Sequence, residues 1–259
     1  MENIIELLKS SKTRLRKYKL YQSLRKTILT HKRWKEFQND FEIFSSKSKN
    51  APRFELSWKN HYPILDEKTS VTHFDAHYIY HPAWAARILE NTRPGCHIDI
   101  SSTLNFCAIV SAFIPVRFYD YRPATLNLNK LTSEHADLLS LPFQDESVPS
   151  LSCMHVVEHI GLGRYGDPID PDGDLKAIEE LKRVLSKGGN LLFVTPVGRP
   201  VIHFNAHRIY SYNQIISYFS GLNLQQFAIV DDKGQFFLDA SEADANEQSY
   251  GCGCWWFTK

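Results

Sequence analysis

The chain predicts an α/β fold, a mostly parallel sheet with helices on both faces, preceded by a basic helical extension. Three observations carry this expectation. Short apolar segments alternate with helix-length amphipathic ones from Cys96 to Val230, an order that implies parallel strands joined by right-handed crossovers. Acidic residues, Asp99, Asp120 and Asp137, stand in or just after three of the short segments. A fourth apolar segment runs straight into the stretch Cys153 to Asp174 (CMHVVEHIGLGRYGDPIDPDGD), which gathers His155, Glu158, His159, Gly161, Gly163, Gly166, two prolines and four aspartates.

From Glu2 to about Phe44, Ile4, Leu8, Leu15, Tyr21, Leu24 and Ile28 recur at helical spacing among lysines and arginines, which predicts one or two basic amphipathic helices. Ser45 to Asn50 (SSKSKN), with Pro52 behind it, marks a boundary, so residues 1–50 are read as an extension and 51–259 as the α/β domain. Pro82 suits the first turn of a helix that continues through Trp84, Ala85, Ile88 and Leu89 to about Asn91. Cys96 to Ile100 is the first strand, followed by Ser101, Ser102, Thr103 and a helix from Phe106 to Ile114. Val116 to Tyr119 is the second strand and His135 to Leu139 the third, closed by Pro142. Leu151 to Val156 is the fourth strand. A helix from about Asp174 to Leu185 then places Leu175, Ile178, Leu181 and Leu185 on one face, with i,i+4 pairs Lys176–Glu180 and Glu179–Arg183, and stops at Lys187–Gly188–Gly189. Asn190 to Thr195 is a fifth strand, Tyr212 to Phe219 a helix, and Leu224–Val230, Gln235–Leu238 and Trp255–Thr258 are later strands.

A chain of 259 residues, 43% hydrophobic and 23% charged, can bury a full core. The net charge of +1 hides an asymmetry: residues 1–35 hold eleven Lys/Arg against Glu2 and Glu6, and the remaining 224 residues hold nineteen basic against twenty-seven acidic. The basic arm is expected either to contact anionic lipid or an acidic protein partner, or to pack on its own acidic body. Nucleic acid is not expected as a partner, because the basic character stops at the arm and no recognition motif follows. No run reaches the roughly 20 apolar residues of a membrane span, and the N-terminus lacks a signal-peptide pattern. Five scattered cysteines, Cys96, Cys107, Cys153, Cys252 and Cys254, suit reduced thiols. A cytoplasmic location follows, peripheral to the membrane if the arm binds lipid.

In an open α/β sheet, ligands bind outside the carboxyl ends of the strands, and long ordered loops are usually functional. Glu158, His159 and Asp170 are therefore the catalytic candidates. Gly161, Gly163 and Gly166 are expected to let backbone approach a ligand, and Pro168 and Pro171 to stiffen the chain around Asp170. His155 to His159 also spells H-x-x-E-H, a zinc-protease pattern that requires a helix; here an apolar strand leads into it. His77/His81 and His203/His207 repeat the four-residue spacing, and Asp167, Asp170, Asp172 and Asp174 follow His159 closely, yet no metal is assigned. Cys252 and Cys254 form a C-x-C that would have to borrow His or Asp from elsewhere to bind zinc.

The order of these motifs resembles the class I S-adenosylmethionine-dependent methyltransferases over about Pro94 to Val230. Its most specific parts are ADLLSLPFQDESVPSLSCMHVVEH and LKRVLSKGGNLLFVTPVG. More narrowly, HVVEHIGLGRYGDPIDPDGD and FNAHR look like an uncharacterised methyltransferase-like family of bacteria and nematodes, whose bacterial members tend to accompany surface-polysaccharide genes. The resemblance implies a Rossmann-like sheet and S-adenosylmethionine as cofactor, held by Asp99, Ser101, Ser102, Thr103, Asp120, Asp137 and His155. Asp120 follows Asp99 by 21 residues, near the roughly 20 expected between a nucleotide loop and its ribose acid. Where the resemblance implies glycines, this chain has Ser101, Ser102, Thr103 and Asn105; Asn105 is the residue expected to tolerate a left-handed conformation, and the hydroxyls are expected to meet an anionic group at the next helix N-terminus. The function expected is methyl transfer to a sugar or other small polar acceptor in surface-polysaccharide biosynthesis, with His159 or Asp170 as base and Arg164, Tyr165, Asp167, His207 and Arg208 binding the acceptor. The alternatives are a metal-dependent or otherwise repurposed enzyme on the same fold, and a non-catalytic Rossmann-like binding subunit.

Overall fold

A computed structural model describes residues 28–48 and 53–259. It divides into two compact units, one ending at His73 and the other running from Phe74 to Lys259. The basic arm as far as Lys26 lies outside the described residues.

In the first unit, helix α1 (residues 28–48) presents Trp34, Phe37 and Phe41 to Trp58 and His61, which flank a single 3-10 turn, Trp58–Asn60. Trp58 stacks on His61 at 4.5 Å between ring centroids and meets Phe41 edge-on at 4.8 Å. Lys68 pairs with Asp40 at 3.1 Å, and Arg33 pairs with Asp66. The helix runs through Ser45 and Ser48, so the expected linker begins inside it. Ser48 remains in the helix, with its hydroxyl donating to the Phe44 carbonyl.

The second unit opens with α2 (Ala76–Thr92), followed by β1 (His97–Ile100), α3 (Leu104–Val110), β2 (Val116–Asp120), β3 (Leu131–His135) and β4 (Val148–Met154). After α4 (Gly173–Val184) come β5 (Leu185–Val197), the short hairpin β6 (Val201–His203) and β7 (His207–Ile209), and α5 (Tyr212–Tyr218). The chain finishes with β8 (Asn223–Val230), β9 (Phe236–Phe237), α6 (Glu242–Asn246) and β10 (Gly251–Thr258). Eight strands form one sheet in the order β3-β2-β1-β4-β5-β10-β8-β9. The first five of that row are parallel, and β10 runs antiparallel between β5 and β8. This is the Rossmann-like α/β sheet expected from the alternation of elements.

Strand β5 shows why the fold needs helices on both faces. Leu191 and Phe193 enter one core with Trp255, Phe257 and the apolar stripe Ala177, Ile178 and Leu181 of α4. Leu192 and Val194 enter the other with Cys252, Cys254 and Trp84, Ile88 and Leu89 of α2. Successive side chains point to opposite faces, so a strand covered on both sides reads as a continuous apolar run.

The differences from expectation have local causes. Helix α2 starts at Ala76, where Asp75 accepts from the Tyr78 amide, so Pro82 lies inside the helix rather than in its first turn. The buried face His81, Trp84, Ala85, Ile88 and Leu89 offsets a proline cost of about 3 kcal/mol. Helix α3 begins earlier than expected, because Thr103 caps it at the Phe106 amide, and it ends earlier, at Val110. The third strand is Leu131–His135 and not His135–Leu139. It pairs only with β2 and buries only Leu131, whereas Ala136, Leu138 and Leu141, which attract a strand reading, pack into the core from the turn that follows.

A buried polar chain joins β1 to β4. The Ser152 hydroxyl donates to Asp99, so it accepts from His97 Nε2 at 2.8 Å, and His97 Nδ1 accepts in turn from the Ser150 hydroxyl at 2.8 Å. Burial pushes His97 down to about 3 and Asp99 up to about 6. Asp99, raised above 3.8 in the fold, contributes stability that is present below pH 3.8 and lost as pH rises through about 6. His97, depressed, contributes stability that is present above pH 6.5 and lost as pH falls toward about 3. Asp99→Asn removes the first contribution and leaves the second. In urea titrations, the stability of the parent relative to Asp99→Asn should rise by about 2–3 kcal/mol between pH 7 and pH 4, at roughly 1.4 kcal/mol per pKa unit. An unchanged difference would exclude Asp99 as a group titrating near pH 6.

Candidate active site

The chain leaves β1 toward β2 on one side of the sheet and reaches β4 on the other, so the strand order reverses between β1 and β4. A cavity of about 290 Å³ opens at the carboxyl ends of these strands, where open α/β sheets bind ligands. Ser101 borders it after β1, Asp120, Tyr121 and Arg122 after β2, and Ala136 to Leu139 after β3. The floor and far wall come from His155, Val156, His159, Ile160 and Gly161 and from Tyr165, Asp167 and Pro168 of the following loop.

Ser101 takes φ 55°, the left-handed region that favours glycine. Its amide and hydroxyl both donate to the Tyr119 carbonyl, at 2.8 and 3.3 Å. The strained position is therefore Ser101 and not Asn105, which lies in the first turn of α3. Asp99, Ser102 and Thr103 lie behind the cavity rather than in it. Asp99 is fully buried and accepts from the Ser102 amide at 3.0 Å, Ser102 Oγ accepts from the Met154 amide at 3.1 Å, and Thr103 caps α3. These three residues fix the β1 turn against β4. Asp120 and Asp137 do line the cavity. Each uses Oδ1 to order its own turn, accepting from Arg122 N at 2.7 Å and Leu139 N at 2.9 Å respectively, and among the described residues neither Oδ2 has a partner.

Beyond β4, His155 takes φ 57° and turns the chain into a 3-10 helix, Val157–His159. Glu158, 1% exposed, accepts from His155 Nδ1 at 2.9 Å through Oε1. His159 Nδ1 lies 2.6 Å from the Ala206 carbonyl. A carbonyl only accepts, so Nδ1 carries the proton and Nε2 presents a lone pair. Burial holds the His159 pKa below its ordinary value, more than Glu158 raises it, so His159 is a neutral base at pH 7.

The loop is held mainly by its own residues. Asp167 accepts from Gly161 N at 2.7 Å, Gly163 N at 3.4 Å and Tyr165 N at 3.2 Å, so it both borders the cavity and ties the loop. A side chain at Gly161 would place Cβ 2.0 Å from the Asp170 carbonyl oxygen. The close approach that demands glycine is between two limbs of the loop, not between backbone and ligand. Asp170 lies outside the cavity. It accepts from Lys176 Nζ at 2.6 Å and from the Asp172 amide at 3.1 Å, and the Lys176 bond draws its pKa below the ordinary carboxylate value, the wrong direction for a base. Arg208 is buried and donates to the Ile160 carbonyl at 2.7 Å and the Pro171 carbonyl at 3.1 Å, with Asp174 Oδ2 3.5 Å from its Nε. It is a clamp across the loop rather than an acceptor ligand. Arg164 donates to the Ala206 carbonyl at 3.1 Å, and His207 packs on Tyr250 at 4.9 Å; neither lines the cavity.

Arg122 is a cavity residue that sequence reading missed. It borders the cavity and lies over the Tyr165 ring at 4.9 Å, with Arg164 at 5.1 Å from the same ring. Its position two residues past the strand-two acid was the available signal, but its contact is 43 residues away along the chain.

Arg208→Ala leaves two loop carbonyls without their donor and the buried Asp174 without its positive partner, held by the Tyr210 hydroxyl alone, and is expected to lower unfolding stability by about 3–5 kcal/mol in a denaturant titration. Asp170→Asn, which removes only a surface pair, is expected to leave the melting temperature nearly unchanged. The reverse ranking would show that the loop is anchored at Asp170.

A family described as "Caenorhabditis protein of unknown function, DUF268" matches residues 144–250, a span that contains the whole loop. No curated protein matches the chain. Among solved structures, the chain is similar to the MccD protein, at 11% identity over 68% of this chain and 96% of that one, with a TM-score of 0.48. A TehB-like SAM-dependent methyltransferase from Corynebacterium glutamicum gives 14% identity, 68% and 87% coverage, and a TM-score of 0.45. The [4+2]-cyclase SpnF gives 15% identity, 69% and 81% coverage, and a TM-score of 0.48.

Proposed function

We propose that the cavity holds S-adenosylmethionine and that the domain transfers its methyl group to a hydroxyl of a sugar or other small polar acceptor, in surface-polysaccharide biosynthesis. The observation that carries this reading is the pairing of Asp120 and Asp137, each with an unpartnered carboxylate oxygen, with the neutral base His159 around one cavity at the strand-order reversal. The residues present fit the cofactor. Asp120 Oδ2 can accept from ribose hydroxyls, Ala136, Leu138, Val156 and Ile160 offer an apolar seat for a purine, and Ser101 turns backbone toward the opening.

Bound there, the cofactor supplies an electrophilic methyl group; the protein's part is in-line positioning and proton removal. His159 Nε2 accepts the hydroxyl proton, while the bond from Nδ1 to the Ala206 carbonyl fixes the tautomer and steadies the imidazolium that forms. Tyr165 and Arg122, whose guanidinium packs on the tyrosine ring, give the acceptor an aromatic side chain beside positive charge.

Calorimetry should detect S-adenosylmethionine and its demethylated product, and Asp120→Ala should weaken both about 10-fold or more, the loss of a bond to a charged group. With an acceptor in hand, His159→Gln should cut turnover by about 10²–10⁴ at nearly unchanged cofactor affinity, and the acid limb of the parent's rate profile should lie below pH 6.5, because the imidazole must be neutral. No heat with either ligand in folded protein would overturn the cofactor assignment.

A further inference from the structure

On the other side of His155 is a cluster that methyl transfer does not use. His77 comes from the first turn of α2, His155 from the end of β4 and Cys252 from β10. One ligand atom from each lies within 4.8 Å of the other two. His155 Nε2 is 3.3 Å from Cys252 Sγ, close to the roughly 3.5 Å that a tetrahedral zinc ion with bonds of about 2.3 Å to sulfur and about 2.0 Å to nitrogen would impose on such a pair. His77 is only half-buried and can rotate to close the remaining distance.

We propose that His77, His155 and Cys252 bind a divalent metal ion, zinc by the chemistry of its ligands, with Glu158 as the carboxylate that orients His155. Two imidazoles and a thiolate are donors for a borderline-soft ion and exclude magnesium or calcium. The tautomer is already correct. Glu158 Oε1 holds the proton on His155 Nδ1 at 2.9 Å, which turns the Nε2 lone pair to the metal, an arrangement shared by most metal-ligating histidines. Charge and polar bookkeeping point the same way. The Glu158 carboxylate is buried with Oε2 unpartnered, and His81, one helical turn from His77 and 5.1 Å from the His155 ring, has a buried and unpartnered Nε2. A dipositive ion bound to one thiolate keeps a single positive charge beside that buried carboxylate. Three protein ligands leave a fourth position, as in zinc sites that admit water or a ligand oxygen. Because His155 also borders the cavity, an ion held here lies next to the acceptor position. The C-x-C of β10 thus obtains from α2 and β4 the histidines that its own neighbourhood in the sequence lacks.

This inference stands apart from the cofactor assignment, and its test uses no methyl donor. The full chain, stripped by chelator and dialysed, should take up about one zinc ion per molecule in calorimetry and gain melting temperature on doing so. Cobalt in its place should give a sulfur-to-metal charge-transfer band. Cys252→Ser should abolish that band, and Glu158→Gln should weaken zinc about 10- to 100-fold. If Cys252→Ser fails to fold, His77→Gln, at a half-buried position, carries the same test and should weaken zinc at an unchanged apo melting temperature. Folded parent protein that takes up no metal, or a folded Cys252→Ser that keeps the cobalt band, overturns the proposal.

Discussion

The carboxylate of Glu158, 1% exposed and set between two imidazoles, is the interaction around which the site is arranged. It lies 2.9 Å from His155 Nδ1 and 3.8 Å from His159 Nε2. A carboxylate removed from water must be hydrogen-bonded or charge-compensated, so the chain has to bring His155 Nδ1 to it. It does so by leaving β4 through a left-handed residue, His155, and entering one turn of 3-10 helix, which places residues 155, 158 and 159 around a single point. Each imidazole then has its outer nitrogen assigned, His155 Nε2 toward Cys252 and His159 Nδ1 toward the Ala206 carbonyl. The proposed methyl-transfer base and the proposed metal ligand are two consequences of one buried charge.

The loop that follows is rigid for a reason separate from chemistry. Arg208 crosses it from β7, Asp167 gathers three of its amides, and Gly161 lets its limbs touch. Its Gly161, Gly163 and Tyr165 amides and its Ile160 and Pro171 carbonyls are therefore satisfied within the protein, which allows a long irregular segment to form a cavity wall. The residues that hold it (Arg208, Asp167, Asp174) have side chains of the type that catalysis also uses, and composition alone does not separate the two roles.

The division of labour across the sheet is similar. The neighbouring strands β1 and β4 place polar side chains in a paired interior chain, His97, Ser150, Ser152 and Asp99, whereas β2 carries Asp120 at its carboxyl end. Asp99 and Asp120 are both strand-end acids in the sequence. The difference is one of depth: Asp99 lies inside β1 with both oxygens used, and Asp120 is the last residue of β2 with one oxygen free.

The features legible in the chain were those carried by neighbouring residues. Short apolar runs and helical repeats carried the alternation of elements, Asp120 and Asp137 stood out as acids beside the openings of a parallel sheet, and the glycine, proline and aspartate content of residues 161–174 marked the loop, because each depends on contacts a few residues long. β3 was misplaced since an edge strand paired on one side needs little apolar surface, so Ala136 and Leu138 outweighed it. Pairings between distant segments were not legible: Arg208 with the Ile160 carbonyl, Arg122 with Tyr165, and His77 with His155 and Cys252 join residues 43 to 175 apart. No local propensity encodes such a contact. It exists only once the sheet has stacked β1, β4, β5 and β10 side by side and α2 has been laid across one face, and burial in that stack then determines which His, Asp and Arg side chains are structural clamps and which face the cavity.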